Sequence, residues 1–133
     1  MKQLNIPFKL GMQYDNWEFD LEVTKDRVQG FDSYIYKGKK FNKFLNYSTD
    51  KTELLFRLDV LELVLITLNT KFFLNSLLNK NVDYNILEMR HISILTIKIG
   101  QSISWVFEHR NKTKIIIGRD SKIIYQVYLS LLC

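Results

Sequence analysis

The segment Trp17-Glu18-Phe19-Asp20-Leu21-Glu22-Val23 constrains the fold more than any other feature of the chain. Trp17, Phe19, Leu21 and Val23 share one parity, and Glu18, Asp20 and Glu22 share the other. Successive side chains of an extended backbone point to opposite faces. A strict period of two therefore predicts a strand with one face in a core and the other in water. The same period recurs in the last third of the chain. Ile92 to Ile99 alternates, Ile103, Trp105 and Phe107 share a face, and Lys114 to Ile117 is a short apolar run between polar turns. These segments predict an α+β domain covering residues 1–133. Its main element is a curved antiparallel sheet, barrel-like in the limit, with one or two helices.

Other segments are less decisive. Phe31 to Lys37 reads as a second strand forming a hairpin with 17–23, and Ile6 to Tyr14 as a further strand leading in. Gly38 to Lys51 reads as a loop or a short helix. Thr52 to Leu68 fits two descriptions. Leu54, Leu58, Leu61, Leu65 and Leu68 make a helical stripe, whereas the Val, Ile and Thr content after Val60 favours two extended segments, the preferred reading. Thr70 to Leu78 carries Phe72, Phe73, Leu74, Leu77 and Leu78 at helical spacing behind Asn69, which predicts a helix. Ile123, Tyr125, Val127, Leu129 and Leu131 alternate as a final strand. A terminal helix capped by Asp120 or Ser121 fits residues 121–132 nearly as well.

Composition excludes several classes. One proline and five glycines in 133 residues rule out collagen-like and linker character. An aromatic content of 14% argues against disorder. There is no alanine, and Ile, Lys, Asn, Leu, Phe and Tyr dominate, which is the coding bias of an AT-rich genome. The one cysteine, Cys133, permits neither an internal disulfide nor a multi-cysteine metal site. With no apolar leader after Met1, this predicts a reducing, non-secreted location, either the cytoplasm or the interior of an organelle. The richest apolar stretch, Leu54 to Leu78, contains Arg57, Asp59 and Glu62. Charges at mid-bilayer cost roughly 2.5–3.5 kcal/mol each, so no membrane span is expected.

The formal net charge of +5 is unevenly distributed. Residues 1–50 carry eight bases against seven acids, 51–89 four against five, and 90–133 seven against two. The excess of the last third lies on Arg90, Lys98, Arg110, Lys112, Lys114, Arg119 and Lys122, and a basic surface of that kind attracts anionic partners.

No arrangement of reactive groups predicts catalysis, a metal site or a cofactor. Glu18, Asp20 and Glu22 stand about 7 Å apart along one side of a strand, with no third ligand or histidine near them in sequence. His109 lies in the polar turn Glu108-His109-Arg110-Asn111-Lys112, and no nucleophile elbow surrounds Ser102, Ser104 or Ser121. Glycine-rich phosphate loops are absent from the sequence. Two binding constellations remain. Tyr34, Tyr36, Lys37, Lys39, Lys40, Phe41, Lys43, Phe44 and Tyr47 interleave aromatics with bases, the pattern that holds single-stranded nucleic acid by stacking and phosphate contacts. The second is a surplus of large apolar side chains, with Phe72, Phe73, Leu77, Leu78, Leu129, Leu131 and Leu132 as interface candidates. The leading expectation is a non-catalytic assembly subunit or adaptor with a protein partner or a second copy. A single-stranded nucleic-acid binder, and a barrel or enzyme taking a small apolar ligand between Trp17, Trp105 and Tyr125, are the alternatives.

Overall fold

Apolar runs and polar tips alternate along the chain into nine strands and one α-helix among the described residues. The computed structural model describes residues 6–44, 46–69, 84–99 and 101–132. The strands are β1 (Leu21–Val23), β2 (Asp32–Tyr36), β3 (Lys43–Phe44), β4 (Tyr47–Arg57), β5 (Val60–Leu68), β6 (Tyr84–Met89), β7 (Ile92–Ile99), β8 (Ser102–His109) and β9 (Lys112–Gly118). The helix α1 spans Ser121–Leu132.

The sheet runs β1-β2-β4-β5-β9-β8-β7-β6, antiparallel throughout, with β3 paired to the start of β4. The chain leaves β5 in mid-sheet and re-enters at the far edge as β6. It then meanders back until β9 pairs with β5. The sheet is open, with β1 and β6 at its two edges. This is the predicted α+β architecture in its curved rather than its closed form.

Both faces of the central strands are covered, which is why β4, β5 and β9 read as near-continuous apolar runs rather than alternating ones. One face carries Leu54, Phe56, Val64, Ile66, Leu68, Val106, Ile115 and Ile117, packed with Phe8, Tyr36, Phe41 and Phe44. The other carries Leu55, Leu63, Leu65, Trp105, Phe107 and Ile116, packed with Ile123, Ile124, Val127 and Tyr128 of α1. Each such side chain removed from water contributes about 1.5–3 kcal/mol. Tyr128 is the largest of those fully buried. Its ring meets Phe107 at 5.0 Å and 78° and Trp105 at 5.8 Å and 71°, and its hydroxyl donates to the Met89 carbonyl at 2.8 Å. Gly118 lets α1 sit this close, because a Cβ there would lie 3.1 Å from Ile124 Cγ1.

Residues 52–68 form two strands, as preferred, joined at Leu58 and Asp59. The final segment is a correction: residues 121–132 are helical, not a strand. The reason is topological. Both edges of β9 are already taken by β5 and β8, so a strand following it could not fold back and pair with β9. As a helix, the segment instead places Ile123, Ile124, Val127 and Tyr128 on one face and covers the apolar side of the sheet. Asp120 starts it, its Oδ1 accepting the Lys122 amide at 2.9 Å.

The alternation at 17–23 is also only partly strand. Residues Tyr14–Asn16 and Glu18–Asp20 are 3-10 turns, and β1 begins at Leu21. Phe19 is 95% exposed and points away from the core. The hairpin itself forms, with Leu21 opposite Tyr36 and Val23 opposite Tyr34. Residues 6–14 are not a strand. They lie beside the start of β5, where Gly11 donates to the Leu61 carbonyl at 2.8 Å and Leu61 to that of Met12 at 2.9 Å. The predicted helix at 70–78, with its candidates Phe72, Phe73, Leu77 and Leu78, lies outside the described residues.

Candidate functional site

In the aromatic-basic segment, the core holds most of the rings. Tyr36, Phe41 and Phe44 are buried. Phe8 sits between two of them, its ring centroid 5.0 Å from Tyr36 and 5.5 Å from Phe41. The Tyr36 hydroxyl accepts the Lys40 amide at 3.1 Å. Tyr34 is half-buried against Tyr14 at 4.9 Å and Phe56 at 5.7 Å, and its phenol pKa is raised, chiefly by desolvation and then by Tyr14. Lys37, Lys39, Lys40 and Lys43 are exposed. The bases of the constellation thus face water, while the rings that would stack on nucleobases face the interior.

Leu129, Leu131 and Leu132 are half-buried, packed against the core beneath α1. Phe19, Val23, Leu58 and Tyr125 are exposed singly, whereas three exposed apolar side chains gather on β6, which the sequence reading passes over. Ile86 is 67% exposed, and Tyr84 and Leu87 are also exposed. β6 pairs along its whole length with β7, from Tyr84 opposite Ile97 to Met89 opposite Ile92. No other described strand adjoins it. Its one charged residue is Glu88. Natural sheets normally blunt an edge with lysine, proline, a bulge or brevity. The opposite edge, β1, does so by spanning only three residues. Beside β6 lies a depression of ≈ 490 Å³, lined by Tyr84, Asn85, Thr96, Lys98, Ile103 and Trp105 among others.

A second constellation is polar and comes from four separate parts of the chain. The registers place Lys51 of β4 opposite Thr67 of β5, and Thr67 opposite Lys114 of β9, in one row on the α1 side of the sheet. One step inward, Glu53 is buried between Ile35 and Leu65. Arg27 reaches it from the loop between β1 and β2. The Arg27 amide donates to Ser33 Oγ at 3.2 Å and the Ser33 amide to Asp26 Oδ1 at 3.3 Å, which anchors that loop. Arg27 Nε then meets Glu53 Oε2 at 2.7 Å, its Nη2 meets Oε1 at 3.0 Å, and its Nη1 meets Ser130 Oγ at 3.3 Å. Lys51 lies 3.8 Å from the same carboxylate, and Lys112 pairs with Asp50. Lys114 Nζ donates to the Thr67 hydroxyl at 3.1 Å.

Two groups here are shifted. The Lys114 ammonium has a lowered pKa, first from burial and then from Arg27, Lys112 and Lys51, with Asp50 opposing. The His109 pKa is lowered by burial and then by Arg110 and Lys114. His109 is half-buried rather than a surface turn residue, and its Nε2 is buried with no hydrogen-bond partner. Glu18 and Asp20 lie on the 3-10 turn rather than on a strand face. Among the described residues no group of three or more His, Cys, Asp or Glu side chains converges as a metal site, and no helix is long and apolar enough to cross a membrane.

No protein-family model matches the chain, and no curated protein matches it. A crystal structure of a GTP binding regulator from Thermotoga maritima is 13% identical, with 90% of this chain and 87% of that one covered and a TM-score of 0.47. At that similarity the two chains share an outline only, and the ligand in the relative's name is a statement about that protein.

Proposed function

We propose that the protein is a non-catalytic assembly subunit that associates through the open edge of β6. The observation that supports this is the exposure of Ile86 beside Tyr84 and Leu87 on a strand with a single charge, whose outer edge no other described strand joins. An added antiparallel strand supplies backbone hydrogen bonds along such an edge, and neighbouring side-chain pockets supply selectivity. The depression beside Trp105 and Ile103 is one such pocket.

The partner that fits is a second copy of the same strand. Antiparallel self-pairing centred on Leu87 sets Leu87 against its copy and each Glu88 against Ile86. No like charges then meet across the interface, and apolar cross-strand pairs are favourable. Light scattering coupled to size exclusion tests this. The expected result is a concentration-dependent dimer that Ile86→Lys converts to a folded monomer. A wild-type chain that stays monomeric at all accessible concentrations overturns the reading.

A further inference from the structure

We infer that the end of the sheet where β4, β5 and β9 meet the last turn of α1 binds a phosphate-type oxyanion, with the Lys114 ammonium and Thr67 hydroxyl at its floor and Lys51 and Arg27 at its rim. The site is independent of the β6 edge and adds a ligand to the association proposed above.

Charge is unequal at this end of the sheet. Among the described residues Lys25, Arg27, Lys51, Lys112 and Lys114 gather here, with Asp26, Glu53 and Asp50 to offset them. Glu53 is engaged on both oxygens by Arg27, and Asp50 is engaged by Lys112. Among the described residues, no carboxylate lies within ion-pair distance of Lys114. The carbonyl end of α1 favours nearby cations, which explains why bases collect there. It does not explain a half-buried ammonium whose nearest charged neighbours are mostly cations. Such an arrangement disfavours the charged lysine, and Lys114 is shifted in that direction. An anion placed among these groups reverses each unfavourable term.

The space has the right form. A small cleft of ≈ 30 Å³ is lined by Arg27, Lys51, Glu53, Leu65, Thr67, Lys114 and Leu131. About 10–15 Å³ of such volume admits one water, so the cleft admits about two or three oxygens of an oxyanion. Arg27, Lys51 and Glu53 also line an outer depression of ≈ 280 Å³ with Thr24, Lys25, Asp26 and Ser130, which has room for what the oxyanion is attached to. The chemistry fits free phosphate or a phosphate monoester. Both offer a tetrahedral set of acceptors to ammonium, guanidinium and hydroxyl donors.

The probes are inorganic phosphate and phenyl phosphate, titrated at constant ionic strength while the melting temperature and the heat of binding are followed. The expected result is a saturable rise in melting temperature that Lys114→Met weakens by about tenfold or more, the loss of one charge-assisted contact. Lys114→Met removes a half-buried charge and keeps the stem, so the variant stays folded. Lys39→Met, the same charge change at an exposed loop position, leaves the response intact. Tighter binding of phenyl phosphate assigns the site to a monoester, and equal binding assigns it to free phosphate. No saturable response to either probe, an unchanged response in Lys114→Met, or an equal loss in Lys39→Met overturns the inference.

Discussion

Removing Arg27 should destabilise the fold more than neutralising Glu53, although the two form one ion pair. The asymmetry follows from burial, since the carboxylate is 2% exposed and the guanidinium side chain 20%. In Arg27→Met, Glu53 loses both close donors and remains between Ile35 and Leu65 with only Lys51, 3.8 Å away, for compensation. Stranding one member of a buried pair costs about 3–5 kcal/mol, and the remaining lysine places this case near 3. At roughly 4 °C per kcal/mol for a chain of this size, the melting temperature falls by about 12 °C. In Glu53→Gln the side-chain shape persists, one acceptor still meets Arg27, and the freed guanidinium can recruit water. The loss is then that of charge-assisted hydrogen bonds, about 1.5 kcal/mol. Replacing both, as Arg27→Met with Glu53→Leu, should return the fold to within about 1 kcal/mol of wild type, because no uncompensated charge is left inside. Urea or thermal unfolding of the three variants measures the cycle. Equal losses in the two single variants, or a double variant that shows the sum of the two, would mean that the buried carboxylate does not depend on Arg27 for compensation.

Two further outcomes are expected. The folded-state His109 pKa is lowered below the ordinary 6.5, by burial first and then by Arg110 and Lys114, so the unfolded chain takes up a proton first as pH falls. Stability should therefore decline as pH drops below about 6.5 and level off once the folded form also protonates. His109→Gln should flatten that decline in pH-dependent unfolding, and an unchanged profile would exclude His109 as its source. The turn between β4 and β5 holds Leu58 at φ 52°, a left-handed conformation that a leucine adopts at a cost and an asparagine tolerates. Leu58→Asn should stabilise the protein by about 1 kcal/mol in urea unfolding. A loss instead would mean that the turn is held by something other than its backbone conformation.

Those turns also show where sequence reading reached its limit. The chain reverses at Leu58-Asp59, Arg90-His91 and Arg110-Asn111, all with positive φ and none with the glycine that usually marks such a hairpin. Only the third has the polar surroundings that make it readable as a turn. Without a visible turn at Arg90-His91, β6 could not be told apart as a strand. The exposed apolar side chains of the β6 edge were missed for that reason. A search for apolar runs mirrored across any two polar residues, glycine or not, would have found it.

What the residues determined on their own is the class of the fold, because two-residue periodicity from Ile92 to Ile117 leaves little choice other than adjacent antiparallel strands. The same local patterns could not decide residues 121–132, since Ile123, Tyr125, Val127, Leu129 and Leu131 alternate as a strand while Ile123, Ile124, Val127, Tyr128, Leu131 and Leu132 make one helical face. Only the occupied edges of β9 settled that. Burial likewise belongs to the tertiary structure. Whether Phe44 or Ile86 meets water depends on which strands lie beside and above it, and nothing in either residue's own neighbourhood records that. The basic cleft is the extreme case: Arg27, Lys51, Thr67 and Lys114 are distant along the chain, and the lateral register of three strands and one loop brings their charges together.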